Sequence, residues 1–335
     1  MNKHNVSLFF RKLRSTGSFS IEASFDRMIE CFPENSELTL NKYTSSYYSN
    51  GLIARVLGML EARKQCNEVN HVTGDVHFYV LAMPGKKTIL TVHDCGLMNH
   101  PNLLVRFLLK LIWLDFPVRH CRYVTAVSHA TKQEIIHYTG CKPDKIIVIP
   151  TIITGEFKKY EKAFNEQCPR ILHIGLAPNK NFNRHVQAIS GLNCEFHIIG
   201  KLQSHHRQIL ENYRIRWSSE SNISQQDMQR AYQDSDIVLF ASMLEGFGMP
   251  ILEAQTIGIP VVTSNISSMP EVAGEAACQV DPYDVKSIKE GILKVIENRE
   301  YRNSIIEKGF KNVKRYQAKS VAQQYENLYK KVLKE

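Results

Sequence analysis

The segment EGFGMPILE carries two carboxylates eight residues apart, Glu245 and Glu253, and places Gly246 and Gly248 between them. It follows an apolar run of strand length and precedes a helix predicted to begin at Pro250, because proline suits the first helical turn. Glycines let the backbone approach a ligand, and a helix N-terminus attracts phosphate. The spacing predicts a turn that binds a diphosphate, with a carboxylate on either side to hold hydroxyl groups. A tight turn with two solvated glutamates is the alternative interpretation.

A second anion-binding turn is predicted where the apolar run 171–174 ends at Gly175 and is followed by the motif PNKN. Lys180 in this motif places a compact positive charge near a predicted helix N-terminus, where it can bind phosphate. Arg184 lies one helical turn further along the chain and can supply a second cation. For Lys180, a solvated loop lysine is the alternative.

His93 ends the predicted strand 88–93, and Asp94 follows it. In open α/β sheets, ligands bind beyond the carboxyl ends of the strands. His93 is therefore a candidate binding residue, and Asp94 either orients its imidazole or faces an acceptor. A structural histidine is one alternative. A metal site is another, although no third ligand stands at a recognisable spacing.

Two further segments of the first half are candidates of the same kind. Ser128 follows the predicted strand 123–127 and either lines a binding site or caps the helix that begins after it. The segment 11–20 (RKLRSTGSFS) follows the first predicted strand, is basic and contains Gly17. These properties are typical of a loop that faces phosphate.

Short β-rich apolar runs alternate with helix-length stretches along the whole chain, which is typical of βα units that build parallel sheets. The predicted fold class is α/β, with two Rossmann-like domains that face each other across a cleft. We expect an N-terminal domain at 1–150, joined by an amphipathic C-terminal helix at 316–335, and a C-terminal domain at 151–315, with the linker at 150–169. Strands are predicted at 6–10, 38–40, 77–81, 88–93, 123–127 and 145–149, and then at 170–174, 195–199, 237–241, 260–264 and 277–280.

Composition excludes several classes of protein. The net charge is +9, and residues 1–150 hold 18 Lys and Arg against 12 Asp and Glu, but without the basic arm expected of a nucleic-acid-binding protein. The eight cysteines form no CxxC pair, so neither a zinc knuckle nor a redox motif is predicted. No secretory signal and no membrane-spanning run is recognised, which favours a cytoplasmic protein.

The run 236–281 (DIVLFASMLEGFGMPILEAQTIGIPVVTSNISSMPEVAGEAACQVD) resembles the C-terminal signature of the group 1 glycosyltransferases, family 4 of the GT-B fold. The resemblance implies a retaining enzyme that moves a sugar from a nucleoside diphosphate sugar to an acceptor hydroxyl, without a metal or other cofactor. It further implies that Glu253 binds the ribose and that Glu245, with the backbone of Phe247 and Gly248, contacts the transferred sugar. The family's usual acceptors are polysaccharides or lipid-linked oligosaccharides.

The same resemblance assigns Lys180 to the donor diphosphate and His93 to the donor sugar. The family's clamp arginine is replaced here by Leu176, and Arg184 is a candidate substitute for it. This departure keeps open a catalytically inactive partner that binds nucleotide-sugar. An epimerase or phosphorylase of the same two-domain frame is a further alternative.

The segment 103–116 is apolar nearly all round, except for a narrow stripe formed by Arg106 and Lys110. A buried core helix accounts for this pattern. Peripheral attachment to an anionic membrane, at its inner face, is the alternative that also accounts for the basic stripe, and it would bring the enzyme to a lipid-linked acceptor.

Overall fold

The computed structural model describes residues 3–13 and 20–335. The chain forms two compact units, of which the first comprises the chain up to Thr154 together with Tyr316–Glu335, and the second comprises Gly155–Arg315. Both units are built around a parallel six-stranded sheet. Most of the predicted phosphate-side loop at 11–20, including Gly17, lies outside the described residues.

The N-terminal unit has a sheet of strand order β2-β1-β3-β4-β5-β6. Successive strands are added on opposite sides of β1, so the order reverses between β1 and β3, which is a topological switch point. The strands are β1 (His4–Phe10), β2 (Leu38–Thr44), β3 (Val69–Val72), β4 (Thr88–Val92), β5 (Tyr123–Ala126) and β6 (Ile146–Val148). The helices are α1 (Ser20–Glu30), α2 (Leu52–Lys64), α3 (Leu103–Leu109), a π-helical turn (Lys110–Asp115), α4 (Phe116–His120) and α5 (His129–Thr139).

The C-terminal unit has the strand order β12-β11-β10-β7-β8-β9, and its switch point lies between β7 and β10. The strands are β7 (Arg170–Ile174), β8 (Glu195–Ile199), β9 (Trp217–Glu220), β10 (Ile237–Phe240), β11 (Val261–Ser264) and β12 (Cys278–Val280). The helices are α6 (Phe182–Ile189), α7 (Ser204–Asn212), α8 (Gln225–Asp234), α9 (Met249–Ile257), α10 (Met269–Ala273), α11 (Val285–Glu297) and α12 (Arg299–Asn312).

The last helix, α13 (Ala318–Lys334), packs on the N-terminal sheet. Its apolar side is buried through Val321, Tyr325 and Leu328. The Tyr329 hydroxyl lies 2.8 Å from Nδ1 of the buried His71 on β3. The apolar side of the C-terminal helix is therefore buried against elements from the first half of the chain.

Two segments differ from the sequence-based prediction. The predicted strand 77–81 is a 3₁₀-helix, His77–Ala82. The strand of this region is β3, which begins eight residues earlier, at Val69. An apolar run as short as HFYVL does not distinguish a buried strand from a buried helical turn. The predicted linker is also partly wrong, since residues 155–169 belong to the C-terminal unit. Within them, Lys162 pairs with Asp236 at 3.0 Å.

The segment 103–116 is not a buried core helix. Leu103 and Leu104 are 68% and 69% exposed, and Phe107 is 57% exposed. Its C-terminal end enters the core through Leu114, and Asp115 is also buried, whereas Phe116 is 50% exposed. None of the helices among residues 3–13 and 20–335 is long and apolar enough to cross a membrane.

Candidate active site

Two loops meet at the switch point of the C-terminal sheet. β7 and β10 are hydrogen-bonded neighbours, so the loops that follow them emerge side by side at the carboxyl edge of the sheet. The backbone N–H of Met243 donates to the carbonyl of Asn179 at 2.8 Å. The Asn179 side-chain amide donates to the carbonyl of Leu244, also at 2.8 Å. The two loops are thereby joined where open α/β sheets bind their ligands.

Lys180 and Glu245 form an ion pair at this edge. Lys180 Nζ lies 2.6 Å from Glu245 Oε1, with the side chains 21% and 13% exposed. The same ammonium lies 4.8 Å from the centroid of the Phe240 ring. Gly175 has a φ of +85°, and a Cβ on it would stand 3.3 Å from Lys180 Cγ and Cε. The turn therefore requires glycine both for its backbone conformation and for the space that the lysine fills.

Two serines hold the glycine-containing loop from behind. Ser267 Oγ donates to the Glu245 carbonyl at 2.8 Å. Ser268 Oγ lies 2.9 Å from that carbonyl and 2.8 Å from the carbonyl of Phe247, and its single proton is donated to one of them. Gly248 is the N-cap of α9, which begins one residue earlier than predicted, at Met249. The loop is thus fixed directly before the positive end of a helix dipole.

Glu253 lies one turn inside α9 and turns to a different neighbour. Its carboxylate accepts a hydrogen bond from the hydroxyl of Tyr232 on α8 at 2.5 Å. Burial raises the pKa of the Glu253 carboxyl, and the bond from Tyr232 offsets this in part. Burying the charged form of Glu253 is energetically unfavourable, and only one of its oxygens accepts the bond from Tyr232. The carboxylate is therefore suited to accept hydrogen bonds from a ligand's hydroxyl groups.

Arg184 faces the loop that follows β10. Its guanidinium lies 3.1 Å from Asn181 Oδ1 and 3.5 Å from the sulfur of Met243. No carboxylate among the described residues forms an ion pair with it. Leu176, at the position of the family's clamp arginine, instead points toward Gly200 and packs on the core of the unit. A second cation therefore reaches this edge from α6 and not from the turn after β7.

A buried histidine pair supports the same loop. His185 Nε2 donates to the Ala241 carbonyl at 3.2 Å, and its Nδ1 lies 3.0 Å from Nδ1 of His173. Asn181 also donates to the Ala241 carbonyl, at 3.0 Å. Burial lowers the pKa of His185 to about 4 and that of His173 well below its ordinary value. Both rings are therefore neutral at physiological pH, as this bonding pattern requires.

The N-terminal unit has a cavity of about 410 Å³ at the carboxyl ends of β1, β3 and β4. His93 lies in its wall, and its Nε2–H donates to the Thr73 carbonyl at 2.8 Å, which leaves Nδ1 as an acceptor in the neutral ring. A Cβ on Gly74 would come within 2.6 Å of the imidazole, so glycine is required beside it. Asp94 accepts from the backbone N–H of Gly96 at 2.8 Å. The backbone of Thr73 thus orients His93, while Asp94 faces the cavity.

Ser128 is fully buried and caps α5. Its Oγ accepts from the backbone N–H of Thr131 at 3.0 Å. The sequence analysis left two roles open for Ser128, a helix cap or a place in the wall of a binding site. The structure shows the cap, and a side chain that is fully buried does not line a binding site. Among residues 3–13 and 20–335, no group of three His, Cys, Asp or Glu side chains is placed to hold a metal ion.

Residues 156–312 match the family described as Glycosyl transferases group 1. Residues 34–156 match the family described as Glycosyltransferase Family 4, so the two matches together span most of the chain. The chain belongs to the group 1 glycosyltransferases. Its fold is the two-domain α/β GT-B fold of these enzymes.

Known glycosyltransferases resemble the chain over most of its length. The O-antigen chain mannosyltransferase B of Escherichia coli is 26% identical over 279 residues, which are 73% of this chain and 70% of that protein. The serotype-specific mannosyltransferase WbdA of Escherichia coli is 24% identical over 268 residues, and the match spans only 32% of that protein.

Two solved structures share the glycosyltransferase fold. Sucrose-phosphate synthase from Thermosynechococcus elongatus has a TM-score of 0.78 at 14% identity, over 98% of this chain and 99% of that one. HepE from Anabaena, in complex with UDP and glucose, has a TM-score of 0.75 at 14% identity, over 98% of this chain and 100% of that one.

In this glycosyltransferase, the candidates Lys180, Glu245, Gly175 and Arg184 converge at one sheet edge, with Gly246, Phe247 and Gly248 in the adjoining loop. Sequence reasoning did not identify the residues that support them. These are Asn179, Asn181, Tyr232, Ser267 and Ser268. The two asparagines flank Lys180 in the motif PNKN, and the serines lie in SNISS, so their positions beside recognised motifs were the available signal.

Proposed function

We propose that the chain is a retaining glycosyltransferase of polysaccharide synthesis that uses a nucleoside diphosphate sugar. The C-terminal unit would bind the donor, and the cavity of the N-terminal unit would bind the acceptor. The observation that carries the proposal is the Lys180–Glu245 pair at the switch point of the C-terminal sheet, directly before the N-terminus of α9. This ion pair places a cation that can bind phosphate next to a carboxylate that can bind sugar hydroxyls.

The departing diphosphate is the group that this edge is suited to stabilise. Cleavage of the anomeric bond builds negative charge on the diphosphate and positive charge on the sugar ring. An ammonium has three donors, so Lys180 can keep its bond to Glu245 while it bonds to a phosphate oxygen. Arg184 supplies a second cation, and the α9 dipole adds a third favourable contribution. Charges fixed in this way need no reorganisation during the reaction.

The two glutamates would hold the hydroxyl-bearing parts of the donor. Glu245 is fixed by Lys180 and by the serines behind its backbone, which suits it to position the transferred sugar. Glu253 has one oxygen occupied by Tyr232, and the other is suited to a ribose hydroxyl. Retention is what the family resemblance implies, and we name no protein nucleophile, because the usual proposal for the family is same-face attack with the donor phosphate accepting the proton.

Support for a polysaccharide pathway and for the donor class comes from the related proteins. The O-antigen and serotype-specific relatives are mannosyltransferases by name, and HepE was solved with UDP and glucose. A sugar acceptor, lipid-linked or polysaccharide, fits the polar wall of the N-terminal cavity, where Asp94 would bond to its hydroxyl. His93 lies in the same wall and keeps the role that the family resemblance implies, contact with the transferred sugar.

The assay for this proposal is nucleotide release from a panel of UDP-, GDP- and dTDP-sugars. Glu245→Gln keeps the size of the side chain but removes its charge, and it should lower turnover at least about a hundredfold. Proton NMR of the product then reads the anomeric configuration directly. An inverted product would refute retention. A chain that binds a nucleotide-sugar but releases no nucleotide with any acceptor would be the inactive partner that Leu176 leaves open.

We further propose that the N-terminal unit attaches to an anionic membrane. α2 and the segment 103–120 touch through Arg55 and Trp113, whose ring centroid lies 4.9 Å from the guanidinium. Residues 96–114 contain no acidic side chain. Lys110 pairs with Asp115 at 2.6 Å, whereas Arg106 forms no ion pair among the described residues, so a second copy of the chain would bring two unpaired arginines together. An anionic bilayer offers both an apolar interior and opposite charge. The exposed apolar residues are Leu52, Ile53, Val56, Leu57 and Leu60 in α2, and Leu103, Leu104, Val105, Phe107, Leu108, Ile112 and Phe116 beyond it.

Vesicle sedimentation tests the membrane proposal. The protein should sediment with phosphatidylglycerol vesicles and much less with phosphatidylcholine vesicles. Phe107→Glu should abolish sedimentation, whereas Tyr213→Glu, at an exposed aromatic of the C-terminal unit, should not. Equal sedimentation of the two variants, or a stable dimer whose dissociation depends on Phe107, would contradict membrane attachment.

A further inference from the structure

Three cationic side chains line the cavity of the N-terminal unit beside two carboxylates, and the transfer of a neutral sugar does not require them. Arg11, Lys12 and Arg55 all line it. Arg11 is neutralised locally, since it pairs with Glu22 at 2.7 Å and also with Asp75. Lys12 and Arg55 form no ion pair with any carboxylate of the described residues. Asp94 also lines the cavity and forms no ion pair among the described residues. The wall therefore offers an anion two unpaired cationic side chains, Lys12 and Arg55, and not a large net positive charge.

Arg55 is held in a fixed orientation. Its guanidinium stacks on Trp113, with 4.9 Å to the ring centroid, and approaches Phe78 at 5.9 Å. Its Nε donates to the carbonyl of Ser49 at 3.2 Å. Within the part of the chain that the structure describes, the two terminal nitrogens have no partner. A planar guanidinium fixed by stacking and by Nε presents these nitrogens as the pair of donors that binds an oxyanion.

Lys12 adds a point charge to the same wall. Its Nζ donates to the carbonyl of Ser46 at 3.0 Å and lies 4.4 Å from the centroid of the Tyr48 ring. Both contacts are to neutral groups, and the ammonium has further donors for a ligand. Lys12 and Arg55 are both held by the loop that follows β2, through Ser46 and Ser49.

We propose that this wall binds an anionic group, phosphate or carboxylate, on the acceptor, and that Arg55 determines this specificity. The inference rests on the proposed function, because it takes the N-terminal cavity to be the acceptor site. Asp94 lines the same cavity and is suited to the acceptor's hydroxyl. The acceptor is then a sugar or lipid-linked sugar that carries negative charge, and a neutral glycan binds poorly.

The test measures binding of three probes by calorimetry: mannose 1-phosphate, glucuronate and methyl mannoside. The full chain is used with Lys180→Gln, so that the donor site contributes less phosphate binding and the effect of Arg55 can be read against it. At least one of the two anions should bind, and methyl mannoside should bind much more weakly. In this background, Arg55→Gln should lower the affinity for the anion about tenfold, because it removes hydrogen bonds to a charged group.

Matched variants separate specific binding from general electrostatics. Arg63→Gln removes an exposed charge from the same helix and should leave the affinity unchanged. Arg55→Lys keeps the charge but loses the paired donors and should be intermediate. If Arg55→Gln unfolds the unit, as circular dichroism would reveal, Lys12→Gln is the second reporter and should also weaken binding of the anion.

The outcomes distinguish this inference from the proposed function. Equal affinities of the Arg55→Gln and Arg63→Gln proteins would overturn the inference, as would preferential binding of methyl mannoside. A preference for mannose 1-phosphate assigns a phosphate, and a preference for glucuronate assigns a uronic acid. If nucleotide binding survives Lys180→Gln undiminished, the donor site of the proposed function is wrong, while anion binding that depends on Arg55 would still stand.

Discussion

Lys180→Gln is the substitution that tests the donor site most directly. The turn after β7 should keep its conformation, because the glutamine side chain can fill much of the space over Gly175 that the lysine fills. The substitution removes the ammonium that lies 2.6 Å from Glu245 and that would face the leaving diphosphate. The substitution therefore separates the charge of this residue from its packing.

Two magnitudes follow from the position of Lys180. One unit charge about 4 Å from another interacts by about 4 kcal/mol at an effective dielectric constant of 20. Partial charge development and solvent screening reduce this to about 2–4 kcal/mol of transition-state stabilisation, or about 30- to 1,000-fold in kcat/KM. Stability should fall by about 2 kcal/mol, because Glu245 is left largely buried without its cation.

The assay combines initial rates of nucleotide release with thermal denaturation. Lys308→Gln is the matched control, since Lys308 pairs with Glu275 at 3.1 Å but both side chains are exposed. An exposed pair contributes at most about 1 kcal/mol, so the control should keep both turnover and melting temperature. The double variant Lys180→Gln/Glu245→Gln removes the unpaired carboxylate as well. It should recover stability without recovering turnover.

One result would refute this reasoning. If Lys180→Gln retains kcat/KM within about threefold, the ammonium supplies less than about 1 kcal/mol to the transition state. Lys180 would then be a structural partner of Glu245 and not a ligand of the diphosphate. Recovery of turnover in the double variant would lead to the same conclusion.

Three further predictions concern neighbouring residues. Gly175→Ala should destabilise the protein by about 1–2 kcal/mol in thermal denaturation, because φ is +85° and the new Cβ would crowd Lys180; an unchanged melting temperature would contradict this. Glu253→Gln keeps the bond from Tyr232 and removes a carboxylate whose pKa burial raises. It should therefore raise the melting temperature at pH 8, lose this gain as the pH falls through the raised pKa toward the ordinary value of 4.5, and weaken nucleotide binding. The pKa of His185 is about 4 in the fold, against about 6.5 when unfolded, so the unfolded chain takes up the proton first and stability falls with pH below about 6.5. Urea denaturation at pH 7.5 and 5 should show about 2 kcal/mol more loss for the native protein than for His185→Gln, and equal losses would be evidence against the buried neutral ring.

The strands that sequence reasoning located best are those with a compact apolar run bounded by turn residues. The predicted strands 170–174 and 195–199 agree with β7 and β8 at both ends. β9, with the sequence WSSE, was missed because it is a short edge strand whose polar side chains carry no alternating pattern. β9 is a strand because it pairs with β8, and this pairing joins residues about 20 positions apart in the sequence.

The candidate site was likewise predictable in its parts but not in its assembly. Lys180 and Glu245 were each identified from a local motif, yet their contact joins residues 65 positions apart. It depends on β7 and β10 being neighbours across the switch point, which no local motif encodes. Ser128 is a candidate that the tertiary structure does not bring into the site. It follows a strand end, as a site residue should, but its side chain is buried and caps α5.

From the sequence alone one can determine the α/β class and the family, and one can locate the two glycine-containing turns at which phosphate binding is predicted. These depend on backbone preferences of glycine and proline and on the period of apolar residues, which act within a few positions. Only the tertiary structure decides that most of the segment 103–116 is exposed and that Arg184 reaches the loop after β10. It also decides that Lys12 and Arg55 line one cavity without forming an ion pair among the described residues. Exposure and charge pairing depend on which distant elements pack together, and that outcome is a property of the whole fold.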